Sequence, residues 1–173
     1  MTTSPDTITP PDTHYASPML ASAVMTATIR LAGPVPTGIT PQFLGQPEQL
    51  VVARIGDVLL YLTEPRIAHR IRVHWDAQLL HARRLPEQVS QTWLAPRPGT
   101  YPIALSLQLT WPVDVHARWM PADLPRREPA HLQIRIDRLI WQICDQEAWA
   151  AVGNALFNAQ QYLPTDPTQA RSA

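Results

Sequence analysis

Alternation of apolar and polar residues organises most of this chain. From Tyr101 to Trp111, the residues Tyr101, Ile103, Leu105, Leu107, Leu109 and Trp111 share one side, with Ala104, Ser106, Gln108 and Thr110 on the other. That period of two is the mark of a strand with one buried face. Residues 21–32 alternate in the same way, with Val24, Thr26 and Thr28 against Met25, Ala27, Ile29 and Leu31. The short runs LVVARI (50–55) and DVLLYLT (57–63) flank Gly56-Asp57 and predict a tight hairpin. VDVHARW (113–119) and HLQIRID (131–137) alternate again, but after Arg138 the parity changes, since Leu139, Trp141 and Ile143 occupy the opposite set. A one-residue bulge or an early start of the final helix would each account for the change.

A period near 3.6 takes over at the end. Val152, Ala155, Leu156, Ala159 and Leu163 recur at helical spacing, Asp145 can cap, Glu147 stands in the first turn, and Pro164 closes the run. The outer face of this helix is uncharged from Ala148 to Pro164 and carries Asn154, Asn158, Gln160 and Gln161. A solvated helix usually carries charge there, so Asn154, Asn158 and Gln161 are candidate interface residues. Six or seven strands followed by one helix predict an α+β fold: a curved antiparallel sheet with the C-terminal helix packed on one face. No internal repeat is visible in the sequence.

The stretch RIAHRIRVHWDAQLLHARRL (66–85) fits both periods. As a strand it places Ile67, His69, Ile71, Val73 and Trp75 on one face and Ala68, Arg70, Arg72, His74 and Asp76 on the other. As a helix it has a ridge of Ile67, Ile71, Trp75 and Leu79, with a fair start at Thr63-Glu64-Pro65. The β-branched residues at 67, 71 and 73 favour a strand through Trp75, and residues 76–85 fit either a short helix or a continued strand. On the strand reading His69 goes with the core. Arg70, Arg72 and His74 then line a polar face, with Arg83 and Arg84 just beyond, and such a face can track phosphates.

Composition narrows the class. The 173 residues are 45% hydrophobic and 16% charged, enough for one domain with its own core, with a formal net charge of zero. Residues 19–163 are read as that domain; the Thr/Ser/Pro/Asp-rich residues 1–18 and the end from Pro164 to Ala173 are read as disordered tails. All fourteen basic residues are Arg and none is Lys, a bias that either a GC-rich, bacterial-like codon usage or selection against lysine-directed modification would produce. The arginines gather locally: residues 66–140 hold eleven against six Asp or Glu. No apolar run approaches the ~18 residues of a membrane span, and the N-terminus lacks the basic start of a secretory signal. A cytoplasmic protein with no membrane partner is expected.

Candidate chemistry is sparse. The one cysteine, Cys144, lies among Ile140, Trp141 and Ile143, a setting that suits a buried inert thiol better than a nucleophile served by His131 or Asp145. Asp114 and His116 share a strand face at a spacing open to two metal ligands, but neither an HExxH pattern nor a Cys/His cluster supports them. The chain lacks a nucleophile elbow, a phosphate-binding glycine loop and a dinucleotide fingerprint. No catalytic residue, metal or cofactor is therefore assigned. The expected role is a non-catalytic binding or accessory protein, acting on a protein partner or as a homo-oligomer. Nucleic-acid binding through the arginine face, and a small ligand held in an apolar sheet–helix pocket, are the alternatives.

Overall fold

In the computed structural model, residues 26–89, 104–126 and 128–163 are described. Among them are eight strands and three helices: β1 (Ala27–Leu31), β2 (Thr37–Gln42), β3 (Leu50–Ile55), β4 (Val58–Leu62), α1 (Pro65–Asp76), the single turn α2 (Leu79–Ala82), β5 (Leu105–Leu109), β6 (Val115–Met120), β7 (His131–Ile136), β8 (Leu139–Ile143) and α3 (Gln146–Gln161). The chain is α+β, but the single antiparallel sheet is replaced by two mixed sheets of four strands, ordered β1-β8-β7-β6 and β2-β3-β4-β5. Two parallel pairings, β1 with β8 and β4 with β5, make the difference. Both join strands remote in sequence, and alternation within a strand carries no information about so distant a neighbour.

The order of elements reveals a duplication that the sequence hides. Four strands and a helix, β1-β2-β3-β4-α1, recur as β5-β6-β7-β8-α3. Registers recur as well. Thr37↔Ile55 corresponds to Val115↔Ile136, Ile55↔Val58 to Ile136↔Leu139, and Ala27↔Leu139 to Leu105↔Val58. The last correspondence is reciprocal: the first strand of each half leaves its own half and completes the sheet of the other. Backbone bonds at the joints match too, with Gly56 N–H donating to Pro36 O as Asp137 N–H donates to Asp114 O. Leu31, Pro34, Val35, Arg54 and Ile55 keep their identity at Leu109, Pro112, Val113, Arg135 and Ile136, too thin a signal to read without the register.

The same alignment explains the change of parity after Ile136. Asp137-Arg138 is neither a bulge nor a helix start but a two-residue hairpin turn, the counterpart of Gly56-Asp57. Asp137 adopts φ 50° where Gly56 has φ 60°, the left-handed geometry that such turns demand. In a two-residue hairpin the flanking residues pair directly, so Ile136 and Leu139 point the same way and the apolar set changes parity.

Residues 66–75 form a helix, correcting the strand expected there. Pro65 opens α1 at a position that needs no N–H, and Ile67, Ala68, Ile71 and Trp75 are its buried ridge. The two isoleucines lie on the packed face, where burial outweighs their modest helix propensity. The equivalent ridge of α3 is Ala148, Val152 and Leu156, with Trp149 where α1 has Ala68. At two equivalent positions, 67/148 and 68/149, one helix thus carries a large side chain where the other carries a small one. Trp75 stacks on Trp149 with ring centroids 4.2 Å apart, and Gly153 leaves the room: a Cβ there would lie 2.9 Å from Trp75 Nε1.

One apolar cluster joins the halves, including Ile55, Leu60 and Leu62 of one sheet, Leu132, Ile134 and Trp141 of the other, and the buried faces of both long helices. The helix α3 packs on β2 and β3, and α1 on β6 and β4, with the two helices against each other. Asp145, fully buried, caps α3 as expected, its Oδ1 accepting from Ala148 N–H at 2.8 Å. Its Oδ2 accepts from Gly33 N–H at 2.7 Å and Val89 N–H at 3.3 Å, tying the helix start to the β1–β2 turn and to the segment after α2. No helix among the described residues is long and apolar enough to cross a membrane. The terminal tails, Trp93 and Tyr101–Ile103 lie outside the described residues.

Candidate functional site

Because β6 ends its sheet, it has no strand neighbour on its outer side among the described residues. The Asp114–Asp137 bond sets the phase of the β6–β7 ladder, so the backbone groups of Val115, Ala117 and Trp119 turn to the open side. Arginine flanks this edge on both faces. Toward α1, the Arg66 guanidinium lies 4.7 Å from the ring centroid of Trp111 and that of Arg70 lies 5.8 Å from it, while Arg84 covers Trp119 at 4.6 Å. On the outer face of the sheet, His116 and Arg118 of β6 stand beside Gln133 and Arg135 of β7 and line a shallow depression.

The acids here are few and already engaged. Asp114 accepts from Arg135 at 2.6 Å and pairs with His116 at 2.8 Å, and Glu64 is held by Arg66. Arg118 bonds to Gln133. Arg70, Arg84 and Arg118 have no acidic partner among the described residues, and Arg70 Nε is buried without a hydrogen-bond partner. These cations are well placed to receive carboxylates or phosphates from outside.

The arginine face expected from residues 70, 72 and 74 does not exist as such. On the helix, Arg70 and His74 share a side, with His74 Nδ1 2.9 Å from Arg70 O, whereas Arg72 turns toward α3, pairing with Asp76 and covering Phe157 at 4.7 Å. Of the five residues Arg70, Arg72, His74, Arg83 and Arg84, the fold brings Arg84 onto Trp119 of β6 and Arg70 near Trp111, just before that strand; Arg83 is exposed beyond α2. His69 is exposed rather than in the core, its Nδ1 3.5 Å from Gln160 Nε2. Trp111, Arg118, Trp119 and Arg135 surround the edge, and Trp111, expected on the buried side of the 101–111 strand, lies beyond β5 and is 37% exposed. The alternation of VDVHARW already put His116 and Arg118 on one side, but their neighbour Arg135 follows only from strand pairing.

Asn154, Asn158 and Gln161 are exposed on α3, and Asn158 and Gln161 line an open groove with Thr37, Gly38 and Tyr162. Burial pushes the Cys144 thiol up to about 12, with Arg30 opposing and Asp145 adding to the rise. Such a thiol stays protonated at neutral pH and is a poor nucleophile. The buried ring of His131 uses its Nδ1 on Pro129 O at 2.9 Å. Among the described residues no group of three or more His, Cys, Asp or Glu could hold a metal ion. Side chains of both sheets and both long helices share one buried apolar cluster among the described residues. No protein-family model, curated protein or solved structure matches the chain.

Proposed function

We propose that this is a non-catalytic binding protein that acts through protein–protein contacts, with the β6 edge as its contact surface. The observation that carries this reading is a difference between two equivalent edges. The duplication makes β2 the counterpart of β6, and the chain treats them in opposite ways. Arg66, Arg70, Trp111, His116, Arg118 and Trp119 correspond to Glu147, Ala151, Gly33, Gly38, Thr40 and Pro41. Only Arg135 has a like counterpart, Arg54. Gly33 has a structural reason of its own, its N–H bond to Asp145, but no bond or ion pair among the described residues asks for an arginine at 118 where the other edge has Thr40. Aromatic and arginine side chains are the types that dominate protein contact energies.

A photo-crosslinking residue at Met120, beside the edge, is expected to capture a discrete protein in the source cell; at the equivalent Gln42 it is expected to capture none. Equal labelling at both positions, or at neither, refutes the assignment. Nucleic-acid binding is the second reading, favoured by the same arginines and by Trp111, which is 37% exposed. Arg66 already lies against that ring, and the formal net charge is zero. A salt titration with single-stranded oligonucleotides separates the two, because phosphate binding weakens steeply as salt rises.

A further inference from the structure

We propose that the β6 edge takes up an acidic, extended segment of a partner protein as an added strand, an inference that rests on the protein-binding role above. Strand addition needs a row of backbone donors and acceptors left open. Val115, Ala117 and Trp119 supply it at β6. At the equivalent edge the open positions are Thr37, Ile39 and Pro41, and Pro41 has no N–H to give. Proline within an edge strand is a standard means of blocking further pairing. The chain therefore closes one of two equivalent edges and leaves the other with its full set of donors.

Charge selects the occupant. Side chains of an added strand alternate between the two faces of the sheet. On one face they would meet Arg118, beside His116 and Arg135, which Asp114 already holds; on the other they would meet Arg84 over Trp119, with Arg66 and Arg70 gathered at Trp111 before the strand begins. Carboxylates on either face of the incoming segment find a guanidinium without an acidic partner among the described residues, Arg118 on one side and Arg84 on the other. A second copy of this same edge would bring arginine against arginine, so the flanks that welcome an acidic strand also oppose self-pairing.

The test uses the full chain and fluorescently labelled ten-residue peptides of alternating Glu and Val or alternating Lys and Val. Anisotropy at low salt is expected to show the Glu peptide binding at least ~10-fold more tightly than the Lys peptide. The double variant Arg84→Glu/Arg118→Glu is expected to lose at least ~10-fold in affinity, whereas Thr40→Glu on the other edge leaves it unchanged. Circular dichroism confirms that each variant is folded. Amide exchange is expected to slow at Val115, Ala117 and Trp119 when the Glu peptide is bound. Tight binding without protection at those three amides overturns strand addition, while leaving a protein-binding surface in place. No preference for the Glu peptide overturns the inference, and the protein-binding role is then decided by the crosslinking at Met120. Oligonucleotide binding by a chain that ignores both peptides overturns inference and role together.

Discussion

Replacing Asp145 with alanine removes the acceptor for three backbone N–H groups at once, and the duplication provides a matched control. Loss of the helix cap to Ala148 costs about 1 kcal/mol. The bonds from Gly33 and Val89 go to a charged acceptor, a class of bond that contributes about 1.5–3 kcal/mol each when well formed. Both donors lie in part-buried turns that water reaches, and the Val89 bond is long, so about 2 kcal/mol for the two together is the appropriate scale. The expected total is about 3 kcal/mol, or roughly 6–12 °C in Tm for a domain of this size. Glu64 occupies the same place at the start of α1, but its side chain caps nothing and holds only the exposed Arg66. Glu64→Ala should therefore cost about 0.5 kcal/mol or less.

Urea titrations followed by tryptophan fluorescence and far-UV circular dichroism would measure both variants, with equal m-values confirming a common unfolding transition. Asp145→Asn should fall between them, because the amide oxygen can keep the cap while its NH2 group faces donors it cannot accept from. Costs for Asp145→Ala and Glu64→Ala that agree within about 0.5 kcal/mol would refute the reasoning, since the three bonds to Asp145 would then contribute no more than an exposed ion pair does.

Three further outcomes follow from the same packing. Gly153→Ala should destabilise by about 1 kcal/mol in urea titrations, because crowding Trp75 outweighs the better helix propensity of alanine; the exposed neighbour Asn154→Ala should be neutral or slightly stabilising. Trp75→Ala should cost about 3–5 kcal/mol, as for other buried large-to-alanine changes, and weaken the near-UV circular dichroism to which the packed Trp75–Trp149 rings contribute. Cys144 should resist iodoacetamide in the folded protein at pH 8 and react in urea. Its raised pKa also gives a sign: between pH 9 and about 12 the unfolded chain releases the thiol proton and the folded chain keeps it, so stability falls as pH rises through that window.

Features governed by near neighbours were legible along the chain. The Gly56-Asp57 hairpin, the cap at Asp145 and the alternation of β5, β6 and β7 all rest on residues within a few positions of one another. Local signals failed where two periods fit equally, as at Ile67, Ile71 and Trp75, whose helix is decided by burial against α3 and β6. They failed again at Asp137-Arg138, where a turn lacks the glycine that marks its counterpart. The exchange of β1 and β5 between the halves, and the contrast between the β2 and β6 edges, belong to the tertiary structure alone. Strand partners are chosen by the fit of whole faces across the core, and residues as distant as Arg66, Arg84, Trp111, Arg118 and Arg135 acquire a common role only once that choice has been made.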